Sequence, residues 1–129
     1  ETLCGFGEAQ RKRATKPTLF LDVGAHGGLY SMWLKQRMGF DRLVAFEPEP
    51  QNYAQLRANL FMNGMARSVE THELAVSDQA GTVSFYSQSQ GNRGGSRIDL
   101  MDQADVFAEP ITVQTARLDD LFSELDPER

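Results

Sequence analysis

Short apolar runs alternate with segments of helical spacing along the first half of the chain. Residues 18–23 (TLFLDV) form one run, which has an acidic residue near its end, and residues 42–46 (RLVAF) form a second, which ends before Glu47. Continuous apolar runs of this length are typical of strands that are buried on both faces of a sheet. We therefore predict two buried strands, each with an acidic residue at or beside its carboxyl end.

The segment that follows each run has the spacing of a helix. In the first segment, the apolar positions are Tyr30, Trp33, Leu34 and Met38. Gly39 then stands where a C-terminal cap belongs. The second helix can begin at Pro50 and end at Asn63-Gly64. Its apolar positions are Tyr53, Leu56 and Leu60. With a third strand at residues 69–76, this order predicts right-handed crossovers and a parallel sheet.

The pattern changes in the second half of the chain. Residues 81–87 and 111–116 alternate between apolar and polar positions, as half-exposed strands do, and they can pair with each other. The glycine-rich loop between them, which carries Arg93 and Arg97, is either a mobile lid over a site or a surface loop. Residues 118–125 are predicted to form a short helix. Asp119 and Asp120 lie near its positive end, where capping explains them better than a metal or acid–base pair does.

Composition and charge limit the classes of function. The chain has 129 residues, of which 40% are hydrophobic, and this suits one globular domain with a single core. A net charge of -5 argues against a nucleic-acid partner, and no apolar stretch is long enough to span a membrane. We expect the basic run at residues 11–16 to be a solvated arm. A single cysteine permits no internal disulfide and favours a cytoplasmic location, and no metal-ligand spacing is present.

The residues with candidate chemistry lie at the ends of the two predicted strands. In an open parallel sheet, ligands bind beyond the carboxyl ends of the strands. Gly24 would let the backbone approach a ligand closely, and Gly28 would let the helix start pack tightly against the strand. Glu47, at the tip of the neighbouring strand, can accept two hydrogen bonds from the 2′ and 3′ hydroxyls of a ribose. The pattern therefore predicts a nucleoside ligand.

Two nucleoside ligands are compatible with this placement. A dinucleotide would need G-x-G-x-x-G, but the turn reads G-A-H-G-G, with His26 at the position of the second glycine. Asp22 would repel a pyrophosphate, whereas it would attract the ammonium group of S-adenosylmethionine. We therefore favour S-adenosylmethionine over NAD. The alternative interpretation is that Asp22 merely caps the helix and that Glu47 is a solvated strand end.

Several blocks of the sequence, taken together, resemble the FkbM-type S-adenosylmethionine-dependent methyltransferases. The blocks are FLDVGAHGGLYS, VAFEPEPQNYAQLRANLFMNG, ELAVSDQAGTVSFYS, GGS and VQTARLDDL, and they cover residues 19 to about 125. The resemblance implies a Rossmann-like class I methyltransferase fold, of the α/β class, in which a parallel sheet is joined by an additional β pair. It also implies transfer of a methyl group to a hydroxyl, often that of a sugar or another natural product.

The resemblance also assigns residues to the cofactor site. The family's cofactor turn is matched by Asp22, Gly24, Ala25 and Gly28. Its ribose-binding acid is matched by Glu47, which Pro48 follows as the family pattern requires. Ala75, at the end of the predicted third strand, falls where the family builds its adenine pocket, with Val76 beside it.

This chain departs from the family pattern in two respects. His26 and Gly27 stand where the family usually has Asn and an aliphatic residue. We expect His26 to lie close to the cofactor as a contact rather than as a base, and we assign no catalytic residue. The family also continues past LDDL, whereas this chain begins with Glu1 and stops at Arg129. We therefore expect a polar lead-in at residues 1–17 and a partial cofactor-binding domain at residues 18–129, without the half that usually shapes the acceptor pocket.

These observations predict an S-adenosylmethionine-dependent O-methyltransferase that acts on a small-molecule hydroxyl. One alternative is an NAD-binding or nucleotide-sugar-binding protein with the same half-fold. Another is a degenerate binding or assembly module without catalysis. In the family order, the first strand lies in the middle of the sheet, so here one of its edges would be open. An open edge can pair with another chain, and we expect a homo-oligomer or a need for the rest of the polypeptide.

Overall fold

A computed structural model describes residues 15–86 and 110–125 of the chain. The elements, in chain order, are the strands and helices β1 (Leu19–Val23), α1 (Leu29–Met38), β2 (Arg42–Phe46), α2 (Pro50–Met62), β3 (Glu70–His72), β4 (Ala75–Ser77), β5 (Gly81–Tyr86), β6 (Pro110–Arg117) and α3 (Leu118–Leu125). The basic run up to residue 14 and the glycine-rich loop with Arg93 and Arg97 lie outside the described residues.

The first three strands form a parallel sheet in the order β1-β2-β3. Leu21 pairs with Val44, and Val44 pairs in turn with Glu70. The carboxyl ends of the strands therefore meet at one edge of the sheet, as the sequence predicts. The connecting helices also begin and end as predicted. The chain turns out of α1 at Gly39 in the left-handed conformation (φ +57°), and Pro50 opens α2 behind a Glu49 cap whose carboxylate accepts two backbone N–H groups.

The core lies on both faces of the β1-β2-β3 sheet. On one face, Leu43 and Ala45 pack against the buried residues Leu34 of α1 and Leu56 and Leu60 of α2. On the other face, Val44 and Phe46 are covered by partly buried apolar side chains. The side chains that cover them are Leu19, Leu21, Leu74, Val76, Leu118 and Leu121. Because β2 is packed from both sides, its last four residues are all buried, as a continuous apolar run predicts.

The prediction that the first strand is buried on both faces is confirmed only in part, since Phe20 packs against the core on one face and Leu19 and Leu21 pack against it on the other. Every β1 residue up to Asp22 is only partly buried, and Val23 is 55% exposed. β1 is less buried than β2 because it is an outer strand of its sheet in the described part of the chain. β6 does not cover that edge, since it pairs with β4 and β5.

The predicted single strand at residues 69–76 is also wrong, because the structure divides it into two short strands in different sheets. β3 pairs with β2, whereas β4 pairs in parallel with β6. The chain leaves the first sheet after His72, and Leu74 and Val76 then pack against the apolar residues of β2. In this position both side chains are partly buried.

The second sheet confirms the predicted pairing in the second half of the chain. Its strand order is β4-β6-β5, and β5 and β6 are antiparallel with Val83 opposite Val113. α3 follows β6 directly, with Asp119 and Asp120 in its first turn, as predicted. Of the helices in the described ranges, none combines the length and the apolar character that crossing a membrane requires.

Candidate functional site

The turn at residues 24–28, between β1 and α1, is fastened to the end of β2. The backbone N–H groups of Gly24 and Ala25 both donate to the carbonyl oxygen of Phe46, at 2.9 and 3.0 Å. The N–H of Gly28 donates to the carbonyl oxygen of Ala25 at 2.8 Å, which closes the turn on itself. The turn therefore lies at the carboxyl end of the sheet, directly beside the residue that follows β2.

That residue, Glu47, holds the turn through its side chain. One carboxylate oxygen accepts the backbone N–H of His26 at 2.7 Å, and the other accepts the N–H of Glu49 at 3.0 Å. Glu47 is only 5% exposed, so the interpretation of a solvated strand end is wrong. Each carboxylate oxygen can accept more than one hydrogen bond, and both oxygens keep capacity for further donors. The structure thus brings Glu47 and the glycine turn together, as the sequence predicts.

Asp22 accepts a hydrogen bond from a helix side chain. The hydroxyl of Ser31 donates to the Asp22 carboxylate at 2.6 Å, and Ser31 is completely buried. The residue before α1 is Gly28, and no side chain caps the helix start, so Asp22 does not act as the cap. Apolar spacing had placed Tyr30 on the buried face of α1, but Tyr30 is 60% exposed. Ser31 lies on the buried face of α1 together with Leu34 and Met38, and a polar residue at that position gives no apolar signal in the sequence.

Gly28 is required by α2 rather than by the strand. Its φ of +82° lies in the left-handed region, and a Cβ there would lie 2.4 Å from Cδ1 of Leu56. The expectation that Gly28 packs against the strand is therefore corrected, because the close neighbour is Leu56 of α2. One residue earlier, the carbonyl oxygen of Gly27 accepts a 2.8 Å hydrogen bond from the side-chain amide of Asn59. Sequence reasoning did not identify Asn59 or Ser31, because neither lies in the turn.

Gly24 presents open backbone to a ligand. Its φ is +76°, and a Cβ built on it would meet no atom within 4 Å. Large apolar side chains flank the turn in the sequence and are exposed in the structure, namely Val23, Leu29 and Tyr30. An open glycine backbone, two carboxylates and exposed apolar side chains fit a nucleoside that carries a cationic amino-acid group.

The other predicted site residues lie in three places. Pro48 is half-buried between Glu47 and the Glu49 cap. His26 lies in the turn with φ +51°, a conformation that few residues other than glycine adopt. Ala75 is not at the end of the third strand, because it opens β4 and pairs with Thr115 in the second sheet. The assignment of Ala75 to the end of that strand is therefore wrong.

The residue that does end β3 is His72, which the sequence did not single out. Its carbonyl oxygen accepts the N–H of Glu47 at 3.0 Å, and its ring stacks on Phe46 with 5.2 Å between the ring centroids. His72 also contacts Glu70 at 2.8 Å, and Arg42 contacts the same carboxylate at 2.8 Å. Burial alone would raise the pKa of Glu70, but the hydrogen bonds and positive charges of Arg42 and His72 outweigh burial and lower that pKa.

Metal chemistry has no candidate among the described residues. Across residues 15–86 and 110–125, no three His, Cys, Asp or Glu side chains gather where they could hold a metal ion. The pair Asp119 and Asp120 instead contacts Arg117, at 3.3 and 3.9 Å. The buried polar side chains of the described residues all have hydrogen-bond partners.

One protein family matches most of the chain. The family described as the methyltransferase FkbM domain matches residues 22–129, which include the turn, Glu47 and the second sheet. The 2-O-methyltransferase NoeI of Sinorhizobium fredii is 30% identical, and the matched region covers 82% of this chain and 47% of NoeI. The methyltransferase sdnD of Sordaria araneosa is 32% identical over 56% of this chain and 29% of sdnD. The chain thus spans about half, or less, of the length of these curated relatives.

A solved structure shares the fold. The methyltransferase FkbM of Methylobacillus flagellatus KT matches with a TM-score of 0.50 and 15% identity, over 81% of this chain and 22% of that protein. At this identity the likeness concerns the fold alone. The fold is the Rossmann-like α/β fold of class I methyltransferases, as the sequence predicts.

Proposed function

We propose that this chain, which belongs to the FkbM methyltransferase family, forms the cofactor-binding part of an enzyme that methylates a hydroxyl group. Membership of a methyltransferase family indicates S-adenosylmethionine as the cofactor. The observation that carries the proposal is the 2.7 Å hydrogen bond from the His26 N–H to Glu47. It joins the glycine turn after β1 to the acidic residue after β2, the two places where a class I fold meets a nucleoside.

The two carboxylates have different tasks in this proposal. Asp22, held by the Ser31 hydroxyl, would attract the ammonium group of the cofactor. Glu47 would use its remaining acceptor capacity for the ribose hydroxyls, while its bonds to His26 and Glu49 keep it oriented. Gly24 would let the backbone approach the ligand without a Cβ in the way. These residues hold and orient, and none of them is assigned a proton transfer.

When bound, S-adenosylmethionine supplies a methyl group on a sulfonium, which a hydroxyl oxygen can attack in line. Much of the catalysis of such a displacement is the positioning of donor and acceptor. The described residues contribute the donor side of that arrangement. The choice of a hydroxyl acceptor is supported by the relative NoeI, which is a 2-O-methyltransferase. That the hydroxyl belongs to a small molecule, such as a sugar or another natural product, is the part of the proposal that rests on the family resemblance.

The test is calorimetric titration of the protein with S-adenosylhomocysteine and, separately, with NAD. We expect S-adenosylhomocysteine to bind more tightly. Tighter binding of NAD would overturn the proposal and favour a dinucleotide-binding protein. Binding of neither ligand would favour a binding or assembly module without catalysis.

A glycine variant locates the site on the turn. Gly24→Ala adds a methyl group that meets no protein atom but faces the ligand, so we expect cofactor binding to weaken by about tenfold or more. Gly64→Ala is the matched control, because Gly64 also has a positive φ (+69°) and open surroundings but follows α2. Equal losses in the two variants would show that the ligand does not lie on Gly24.

A further inference from the structure

Three successive residues of the turn are contacted by Glu47, which follows β2, and by α2. His26 donates its N–H to Glu47, Gly28 lies against Leu56, and between them the carbonyl oxygen of Gly27 accepts a hydrogen bond from Asn59. Leu56 and Asn59 are three residues apart, so they share one face of α2. This face therefore meets the turn at two neighbouring positions.

The bond from Asn59 acts on a peptide unit that is already held at its other end. The carbonyl oxygen of Gly27 accepts the Asn59 amide at 2.8 Å, and the N–H of Gly28 donates to Ala25 at 2.8 Å. These two groups belong to the same planar peptide. The peptide cannot rotate without losing both hydrogen bonds, so Asn59 fixes its orientation from outside the turn.

We propose that Asn59 is a positioning residue, whose side-chain amide holds the peptide between Gly27 and Gly28 and thereby keeps the turn in its cofactor-binding geometry. The proposal rests on the proposed function, since it takes the turn as the place where the cofactor binds. Asn59 acts through the backbone and not on the ligand. A turn that is already ordered loses less conformational freedom when the ligand binds, and the affinity is correspondingly higher.

The first experiment measures cofactor affinity in variants of the full chain. Asn59→Leu removes the donor at similar volume, and Asn59→Ser shortens the side chain. If one variant fails to fold, the other can still be measured. The control is the same pair of substitutions at Asn63, which follows α2 and whose side-chain amide donates at 2.8 Å to the backbone carbonyl oxygen of Asn59 rather than to the turn. We expect the Kd for S-adenosylhomocysteine to rise about tenfold in the Asn59 variants and less than about twofold in the Asn63 variants. Unchanged affinity at Asn59, or equal losses at both positions, would overturn the proposal.

The second experiment separates positioning from general stability in the cofactor-free protein. We expect the amides of His26 and Gly28 to exchange with solvent about tenfold faster in Asn59→Leu, while the amides of Val44 and Leu60 in the core exchange as before. Faster exchange throughout the core would show that Asn59 stabilises the fold as a whole and does not specifically position the turn. Unchanged exchange in the turn would show that the contact does not order it.

The two experiments distinguish this proposal from the proposed function. If the unaltered protein binds no S-adenosylhomocysteine, the proposed function fails, and the role of Asn59 in cofactor binding fails with it. If the unaltered protein binds and the Asn59 variants bind equally well, only the positioning role fails.

Discussion

The β1-β2-β3 sheet with its helices buries polar side chains, whereas the β4-β6-β5 sheet with α3 buries almost none. In the first region, four polar residues are less than 9% exposed, namely Ser31, Glu47, Glu49 and Asn52. In the described part of the second region, the only such residue is Thr115. Three of the four buried polar residues in the first region lie beside the turn or at the start of α2, and Ser31 bonds to Asp22. The first region therefore uses buried hydrogen bonds to specify the geometry of the candidate site.

The two regions also differ in how many faces their central strands bury. β2 is packed on both faces, and Leu43, Val44, Ala45 and Phe46 are all at most 1% exposed. Along β6, only Val113 and Thr115 are buried, and the residue between them is exposed. A strand covered on both sides has little freedom to shift, so the end of β2 is a rigid place from which to hold a turn. Side chains of β4 and α3 pack on β2, whereas the turn is contacted by Phe46, Glu47, Leu56 and Asn59.

The largest expected effect concerns the core beneath the turn. Leu56→Ala should reduce the free energy of unfolding by about 3–4 kcal/mol, because it leaves a cavity at a completely buried site. Val113→Ala in the second region should cost about 2 kcal/mol, since fewer buried carbon atoms are removed. Urea unfolding of both variants provides the comparison. Only Leu56→Ala should also weaken cofactor binding, because Leu56 contacts Gly28, and equal binding losses would contradict this distinction.

The next prediction compares the loss of one buried polar side chain from each region. Glu47→Ala leaves the N–H groups of His26 and Glu49 without their acceptor, which should cost about 2–4 kcal/mol of stability in addition to cofactor affinity. Thr115→Val removes one hydrogen bond to the carbonyl oxygen of Gln79 and should cost about 1 kcal/mol. Thermal melting of the free proteins measures both losses. A melting temperature that does not change in Glu47→Ala would mean that the carboxylate binds ligand but does not hold the turn.

A third comparison concerns the outer strands of the two sheets. β1 has an unpaired outer edge within the described residues and carries the exposed apolar Val23, whereas exposed polar residues such as Ser84 interrupt β5. We expect the chain to self-associate through β1 and Val23→Lys to shift it towards the monomer, since a charge on an edge strand opposes pairing. Ser84→Lys should leave the oligomeric state unchanged. Light scattering behind a sizing column gives the mass, and a monomer at high concentration before any substitution would disprove the association.

The smallest effect is electrostatic. The lowered pKa of Glu70 means that its contribution to stability is complete above its ordinary pKa of 4.5 and is lost as the pH falls through the lower, folded-state value. Because the Glu70 side chain is 38% exposed, solvent screening limits this contribution to less than about 1 kcal/mol. Arg42→Gln should therefore flatten the acid dependence of the urea midpoint slightly. Arg117→Gln is the counterpart in the second region, where the ion pair is more exposed. This variant should leave the urea midpoint unchanged at every pH.

Much of the secondary structure could be read from local patterns. The bounds of β2 and the start of α2 at Pro50 follow from an apolar run and a helix-start signal, and the antiparallel pairing of β5 with β6 follows from their alternation. These signals are local, since each depends on a few neighbouring residues. The prediction failed at residues 69–76, because an apolar run does not show which sheet it joins, and here Leu74 and Val76 left the first sheet to cover β2.

The candidate site was predictable in part for a similar reason. The spacing of Asp22, the glycines and Glu47 located the turn and its acidic neighbour, because strand ends of a parallel sheet meet at one edge. The spacing could not reveal that Glu47 is buried, since burial depends on backbone amides that the fold brings to it.

The order of apolar, glycine and acidic residues thus specifies most of the elements of this protein, the turn and the family to which the chain belongs. The tertiary structure adds the partners, which are Ser31 for Asp22, Leu56 for Gly28 and Asn59 for Gly27. The sequence pattern does not reveal these partners because periodicity reports only which face of an element is apolar. A contact between residues 9 to 32 positions apart is set by how two elements pack, and it leaves no mark in the spacing along either one.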